Sequence, residues 1–275
     1  MRISSYFSYS KVMLILGLIF LYIPLVILIL FSFSNSQIIN LWGGFTLDWY
    51  RELFQDSDII SAALISLQVA LIASLCATVL GTMVAYIMTR FNYFRSKNFL
   101  YGMVITPLVL PDIVLGVSLL LMFTSLQNLI GWPHGRGMMT IIIAHITFCT
   151  AYVTIVMQAR IASADRSIEE AAMDLGAKPA KIFFQITLPQ IIPSLIASFL
   201  LAFTLSIDDL VITEFVAGSS DPTLPMYIYS TVKNGPTPEI NALATLMIAI
   251  ISTCVVVGAY IAFKMERKRK KQKQK

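Results

Sequence analysis

Six stretches of this chain, at roughly 12–33, 61–89, 99–124, 139–158, 191–216 and 241–263, are long, apolar and free of both lysine and arginine. Nothing else in the sequence narrows the possible folds as far. A run of about 18 or more apolar residues reads as a membrane-spanning helix, because lipid offers no partner to an open backbone N–H or C=O and a helix satisfies both within itself. Composition agrees: 57% of the 275 residues are hydrophobic and 13% are charged, where a soluble domain carries about a quarter. The expected fold class is all-α, a polytopic membrane protein with six transmembrane helices in one domain covering residues 1–275.

Arg2 and Lys11 give the first run a basic approach like that of a signal peptide. The run exceeds the roughly 7–15 apolar residues of such a segment, and the LILFSFSNSQ at its end has no small-x-small cleavage pattern, so it is expected to be a retained first span. Cys76, Cys149 and Cys254 fall inside spans, which suits small apolar packers better than a disulfide framework. No CxxC or Cys/His spacing points to a metal site. His145 has no second ligand at helical spacing and is expected to hydrogen-bond between helices, whereas His134 lies in a loop.

Basic residues collect on the cytoplasmic side of short membrane loops. Seventeen of the 20 lysines and arginines lie before span one, between spans two and three, between four and five, or after span six. Only Arg51, Arg136 and Lys233 lie on the opposite side. Both termini are therefore expected in the cytoplasm, with outer loops near 34–60, 125–138 and 217–240. The basic tail 264–275 reads as a stop-transfer anchor with a disordered end, not as a nucleic-acid-binding arm.

In the first outer loop, WGGFTLDWYRELFQDSD mixes acids with Trp42, Trp49 and Tyr50, which look like interfacial anchors on an amphipathic surface helix. WPHGRG and GSSDPTLPMYIYSTVKNGPTPEI are dense in glycine and proline and are expected to form turns and irregular mouths. Loops alone leave no room for a nucleotide-binding or catalytic domain, and neither GxxxxGK[ST] nor GxSxG occurs.

One segment does not suit a bilayer. SIEEAAMDLGAKPAKIFFQITLP, residues 167–189, is polar and rich in helix formers, and a glycine cuts it near its middle. Ser167 and Glu170 have the spacing of a capping box, placing a helix start at Ile168. Ile168, Ala171, Ala172 and Leu175 then share a face, and Gly176 is placed to end the helix in a left-handed conformation. Pro179 suits the first turn of a second helix, and Pro189 and Pro193 mark the approach to span five. Two alanines keep one face thin for a partner, and Glu170 can make a charge-assisted bond to a partner's arginine. A helical hairpin that merely connects two spans is the plain alternative.

The spacing Glu170-Ala171-Ala172, three residues, Gly176, nine residues, Ile186-x-Leu188-Pro189 resembles the docking signature of the membrane subunits of binding-protein-dependent ABC importers, at every fixed position and in the loop before the penultimate span. That resemblance implies the type I ABC importer permease fold and a coupling role for Glu170, Ala171, Ala172 and Gly176 against an ATP-binding subunit. It further implies a cytoplasmic coupling loop over 159–190, an ATPase dimer carrying ATP and Mg, a second homologous permease subunit, an extracytoplasmic binding protein, and a bacterial inner-membrane location. No cofactor is expected on this chain, and no enzyme activity. YIPLVILILFSFS, WGGFTLDWY, PLVLPDIVLGVSLL, AHITFCTAYV, FTLSIDDLVITEFVAG and PEINALATLM together resemble spermidine/putrescine importer permeases of the C type, although the WPHGRGMM connection is longer.

An independent clue is the set of acids Asp112, Asp208, Asp209 and Glu214, in or at the edges of spans without basic residues. An aspartate at a helix centre costs about 2.5–3.5 kcal/mol on insertion scales, so such residues usually face a cavity. At about 1.5 Å per residue, Asp112 lies roughly 20 Å into span three and Asp208 roughly 26 Å into span five from the cytoplasmic side. Pro107 and Pro111 interrupt span three just before Asp112, and broken helices recur at transport sites. Carboxylates without counter-charges fit a polyamine's spaced ammonium groups, with aromatic faces between them. These acids could instead be protonated or bonded to neighbouring helices. Other importer cargoes (ferric ion, thiamine or an opine) share the docking signature, and a stand-alone channel or proton-coupled carrier would not need it. A membrane enzyme would need an HExxH, GxSxG or GxGD constellation, which the spans lack.

Overall fold

The structure is a computed structural model that describes residues 3–38, 41–91, 95–218, 221–235 and 237–273. Arg2, residues 219–220 and 236 of the third outer loop, and the last two residues of the basic tail lie outside the described residues. The chain divides into two units, Met1–Ile59 with Ile228–Lys275, and Ile60–Tyr227. Among the described residues the only strand-like pairing is an isolated bridge between Ser34 and Phe45.

In the first unit, α1 (Ile3–Phe31) leads to a short α2 (Asp48–Leu53). Between them the chain folds back on the end of α1. The Trp49 indole donates to the Ser34 carbonyl at 2.8 Å, and the Tyr50 and Ser32 hydroxyls are 2.8 Å apart. The Phe33 ring stacks on Phe45 at 5.6 Å. Trp49 and Tyr50 are thus not the outward anchors expected of them: an indole N–H and a phenol find partners in the loop itself, and only Trp42 remains exposed. The last helix, α12 (Pro238–Lys273), runs through the tail expected to be disordered. Lysine, arginine and glutamine are strong helix formers and extend a helix already nucleated in the span.

The second unit is built around α6 (Met138–Ala162), in which Ile141, Ala144, His145, Phe148, Cys149, Val153, Met157 and Ile161 are buried at steps of three and four. Helix α3 (Ser57–Arg90) precedes α4 (Lys97–Val109) and α5 (Asp112–Ile130), the two parts of span three. They part at Leu110, which is extended with φ −72 and ψ 138, the conformation a following proline imposes.

After α6 come α7 (Ser167–Asp174) and α8 (Pro179–Ile182), a π turn (Phe183–Thr187) and α9 (Leu188–Ile207). From Pro179 to Ile207 these last three form one 29-residue helix. Pro189 and Pro193 lie in the first turns of α9, at the approach to span five, without breaking that helix. An α-helical Pro189 would leave the Gln185 carbonyl without a donor and crowd it, and the wider π turn takes the chain past that point. Span five breaks elsewhere: α9 stops at Ile207 and α10 (Val211–Val216) starts after Asp208–Leu210. The expected irregular mouth beyond it contains a further helix, α11 (Leu224–Asn234).

Candidate functional site

Residues 167–189 and the four acids all lie in the second unit. The capping box expected between Ser167 and Glu170 does not form. Asp165 does the capping, accepting from the Ser167 amide at 2.9 Å, and its bonds to Ser167 hold its carboxyl below the usual range. Glu170 turns back to Arg166, 2.9 Å away, with both side chains about half exposed. The other end of α7 follows the expectation. Gly176 has φ +80, its amide donates to the Met173 carbonyl at 2.9 Å, and the Ala177 amide reaches Ala172 at 3.0 Å. These are the two bonds of a Schellman cap. No atom lies within 4 Å of where a Cβ would stand on Gly176, so backbone conformation alone demands glycine there.

Ile168, Glu170, Ala171, Met173 and Leu175 are exposed, and Ala172 is half-buried. The rest of the signature turns the other way: Ile186 and Leu188 are half-buried at the π turn and the start of α9, where Pro189 is exposed. One residue of this region escaped the sequence reading. Glu169 is buried; its Oε1 accepts from Arg90 Nη2 and from Thr187 Oγ1, each at 2.9 Å. Its partners are 79 and 18 residues distant, and the only hint is a second acid beside Glu170.

The acids separate clearly. Asp208 is the exposed C-cap of α9, and Asp112 is exposed at the start of α5. Glu214 is exposed on α10. Asp209 is engaged: its Oδ2 accepts from the Thr213 amide at 2.8 Å and the Thr213 hydroxyl at 2.7 Å, and lies 3.4 Å from His145 Nε2. His145 Nδ1 is 2.7 Å from Ser206 Oγ, and Nε2 is 2.9 Å from Thr213 Oγ1. His145 is thus the interhelical hydrogen-bonder its isolation suggested, linking α6 to both sides of the break. Cys149 is buried one turn away, its thiol donating to the Ala202 carbonyl.

The two broken spans are in contact. A Cβ on Gly116 of α5 would meet the Phe215 ring at 2.6 Å and the Ile212 Cα at 3.4 Å, so α5 and α10 touch backbone to side chain. Asp112 precedes Gly116 by four residues and Asp208 precedes Ile212 by four. Each contact point thus lies one helical turn beyond the break in its span, and an exposed carboxylate stands at each break. An exposed carboxylate offers charge and hydrogen-bond acceptors.

Several helices long and apolar enough to cross a membrane, with a polar helix capped by Gly176 between two of them, fit a membrane-embedded transport subunit, and the comparisons agree. Residues 77–271 match the binding-protein-dependent transport system inner membrane component family, and the chain belongs to it. It is 49% identical to the putrescine transport system permease protein PotI of Escherichia coli, over 94% of this chain and 92% of that protein. It is 39% identical to the spermidine/putrescine transport system permease protein PotC of Haemophilus influenzae, over 89% of this chain and 93% of that one. A chain of a bacterial ABC transporter involved in the import of the acidic polysaccharide alginate has the same fold: TM-score 0.73, 19% identity, 94% of each chain covered.

Proposed function

We propose that this chain is one of two membrane subunits of an ATP-driven importer that moves polyamines, putrescine foremost, into the cytoplasm by alternating access. The observation that carries the reading is that spans three and five each break at an exposed carboxylate, Asp112 and Asp208, and hold no basic residue. Identity to a putrescine permease, higher than to a spermidine/putrescine one, supports the diamine as main cargo. Glu214 lines the same route further along. ATP and Mg belong to a separate ATPase dimer that seats on α7, and an extracytoplasmic binding protein delivers the cargo. Uptake of labelled putrescine should fall to background when the gene is deleted and return with it. Excess spermidine should compete partially, and ferric ion or thiamine not at all. Undiminished putrescine uptake after deletion would sink the cargo assignment.

The orientation that puts α7 on the ATPase side rests on the segregation of 17 of 20 basic residues. Ser57 and Ser163 are both exposed and lie near opposite ends of spans. In intact cells a single cysteine at Ser57 should react with an impermeant maleimide, and one at Ser163 should react only after the cells are opened. Labelling of the Ser163 position in intact cells would invert the topology.

A further inference from the structure

We propose that Glu169 is the positioning residue through which movement of the docking helix reaches the membrane-spanning helices. The proposal rests on the importer reading above and adds a transmission path that the docking signature does not contain. Glu169 is the one buried side chain of α7, with every other described side chain of that helix exposed or half-buried. Its carboxylate joins two further elements at a single oxygen: Arg90 is the last residue of α3, and Thr187 ends the π turn that opens into α9. Helix α9 in turn ends at Asp208, the open carboxylate of the span-five break.

The joint after α7 turns on Gly176, where no atom lies within 4 Å of a would-be Cβ, so side-chain packing around it is loose. The ion pair is firm by comparison. Side-chain exposures of 10% for Arg90 and 7% for Glu169 leave little water to screen it, and a charge buried there tolerates loss of its partner poorly. The Arg90 Nε is itself buried without a hydrogen bond, so the guanidinium depends on Glu169 for its compensation. Contrast the neighbour: Glu170, exposed beside Arg166, is available to a partner chain, whereas Glu169 is committed inward. Two adjacent glutamates thus divide the work, one facing the engine and one facing the spans.

The test uses the assembled transporter in proteoliposomes, measuring ATP hydrolysed and labelled putrescine accumulated in the same vesicles. Glu169→Gln and Arg90→Gln should keep the ATPase subunit bound and hydrolysis close to the parent, while putrescine moved per ATP falls on the order of tenfold. Thr187→Val, which leaves the ion pair intact, should lower the ratio less, and Thr187→Ser should restore it. The double Gln variant should be no worse than either single one, because the two residues act as one unit. A parental ratio in both single variants would overturn the proposal. So would losses that multiply in the double variant, or a loss that merely follows dissociation of the ATPase subunit. Parental vesicles with no ATP-driven uptake would instead overturn the importer reading, and this proposal with it.

Discussion

Glu170→Arg and Gly176→Val should each abolish most uptake while the protein still inserts and accumulates in the membrane. Glu170 is half exposed and its present partner, Arg166, belongs to the same helix turn, which leaves it open to the ATPase arginine that the proposed role of α7 calls for. Removing one partner of a desolvated charge pair costs about 2–5 kcal/mol at an interface, and reversing its sign adds repulsion. Gly176→Val acts differently. The left-handed φ of +80 strains a β-branched residue by about 1–3 kcal/mol, enough to shift a conformational equilibrium roughly 5- to 150-fold. The Schellman bonds to Met173 and Ala172 would open, and α7 would lose the angle at which it is presented. Because no side chain packs around Gly176, the rest of the fold should not suffer. Uptake, ATPase co-purification and membrane level, measured together, check both variants. Normal uptake in both would reduce the segment to a connector.

The parts of this arrangement readable from the sequence are those set by local chemistry. Gly176 and Pro179 punctuate the docking segment as backbone sterics require. Pro111 breaks span three because it has no N–H to give and forces the residue before it into an extended conformation. His145, a lone polar ring in an apolar run, had to find partners on other helices. The parts that were not readable depend on distant residues. Span five breaks at Asp208 without a proline or glycine; it is held open by Asp209 reaching forward to Thr213 and by His145, some 60 residues earlier in the chain, reaching both sides. The capping box failed because Arg166 and Asp165, just upstream, took over both of its functions. Glu169 looked like one more surface acid until Arg90 was brought beside it by the packing of α7 against the end of α3. Helix α11 hides between prolines at both ends of a segment whose composition reads as loop.

The same contrast between open and engaged carboxylates sets the largest expected effect in the pathway. Asp112→Asn and Asp208→Asn keep shape and hydrogen-bonding capacity and remove one charge each. Attraction between a carboxylate and an ammonium about 4 Å apart is worth about 4 kcal/mol at the effective dielectric of a partly buried site. Both side chains are exposed, so water screens part of that; on the proposed route putrescine uptake should fall at least on the order of tenfold in each variant, with membrane level and ATPase docking unchanged. Asp209→Ala should behave otherwise. Its carboxylate accepts from the Thr213 amide and hydroxyl and stands beside His145, and stranding buried polar groups costs about 1–3 kcal/mol each. The expected result is less protein in the membrane, and a loss of uptake in proportion to that protein. Asp209→Asn, which can still accept from Thr213, should fall between the two. Titrating uptake against putrescine concentration separates the cases: carboxylates on the proposed route would act at every turnover, so their loss should lower transport per molecule, whereas loss of Asp209 should lower the number of molecules. If Asp112→Asn and Asp208→Asn both transport like the parent, the two breaks are structural joints and the polyamine assignment rests on likeness to relatives alone.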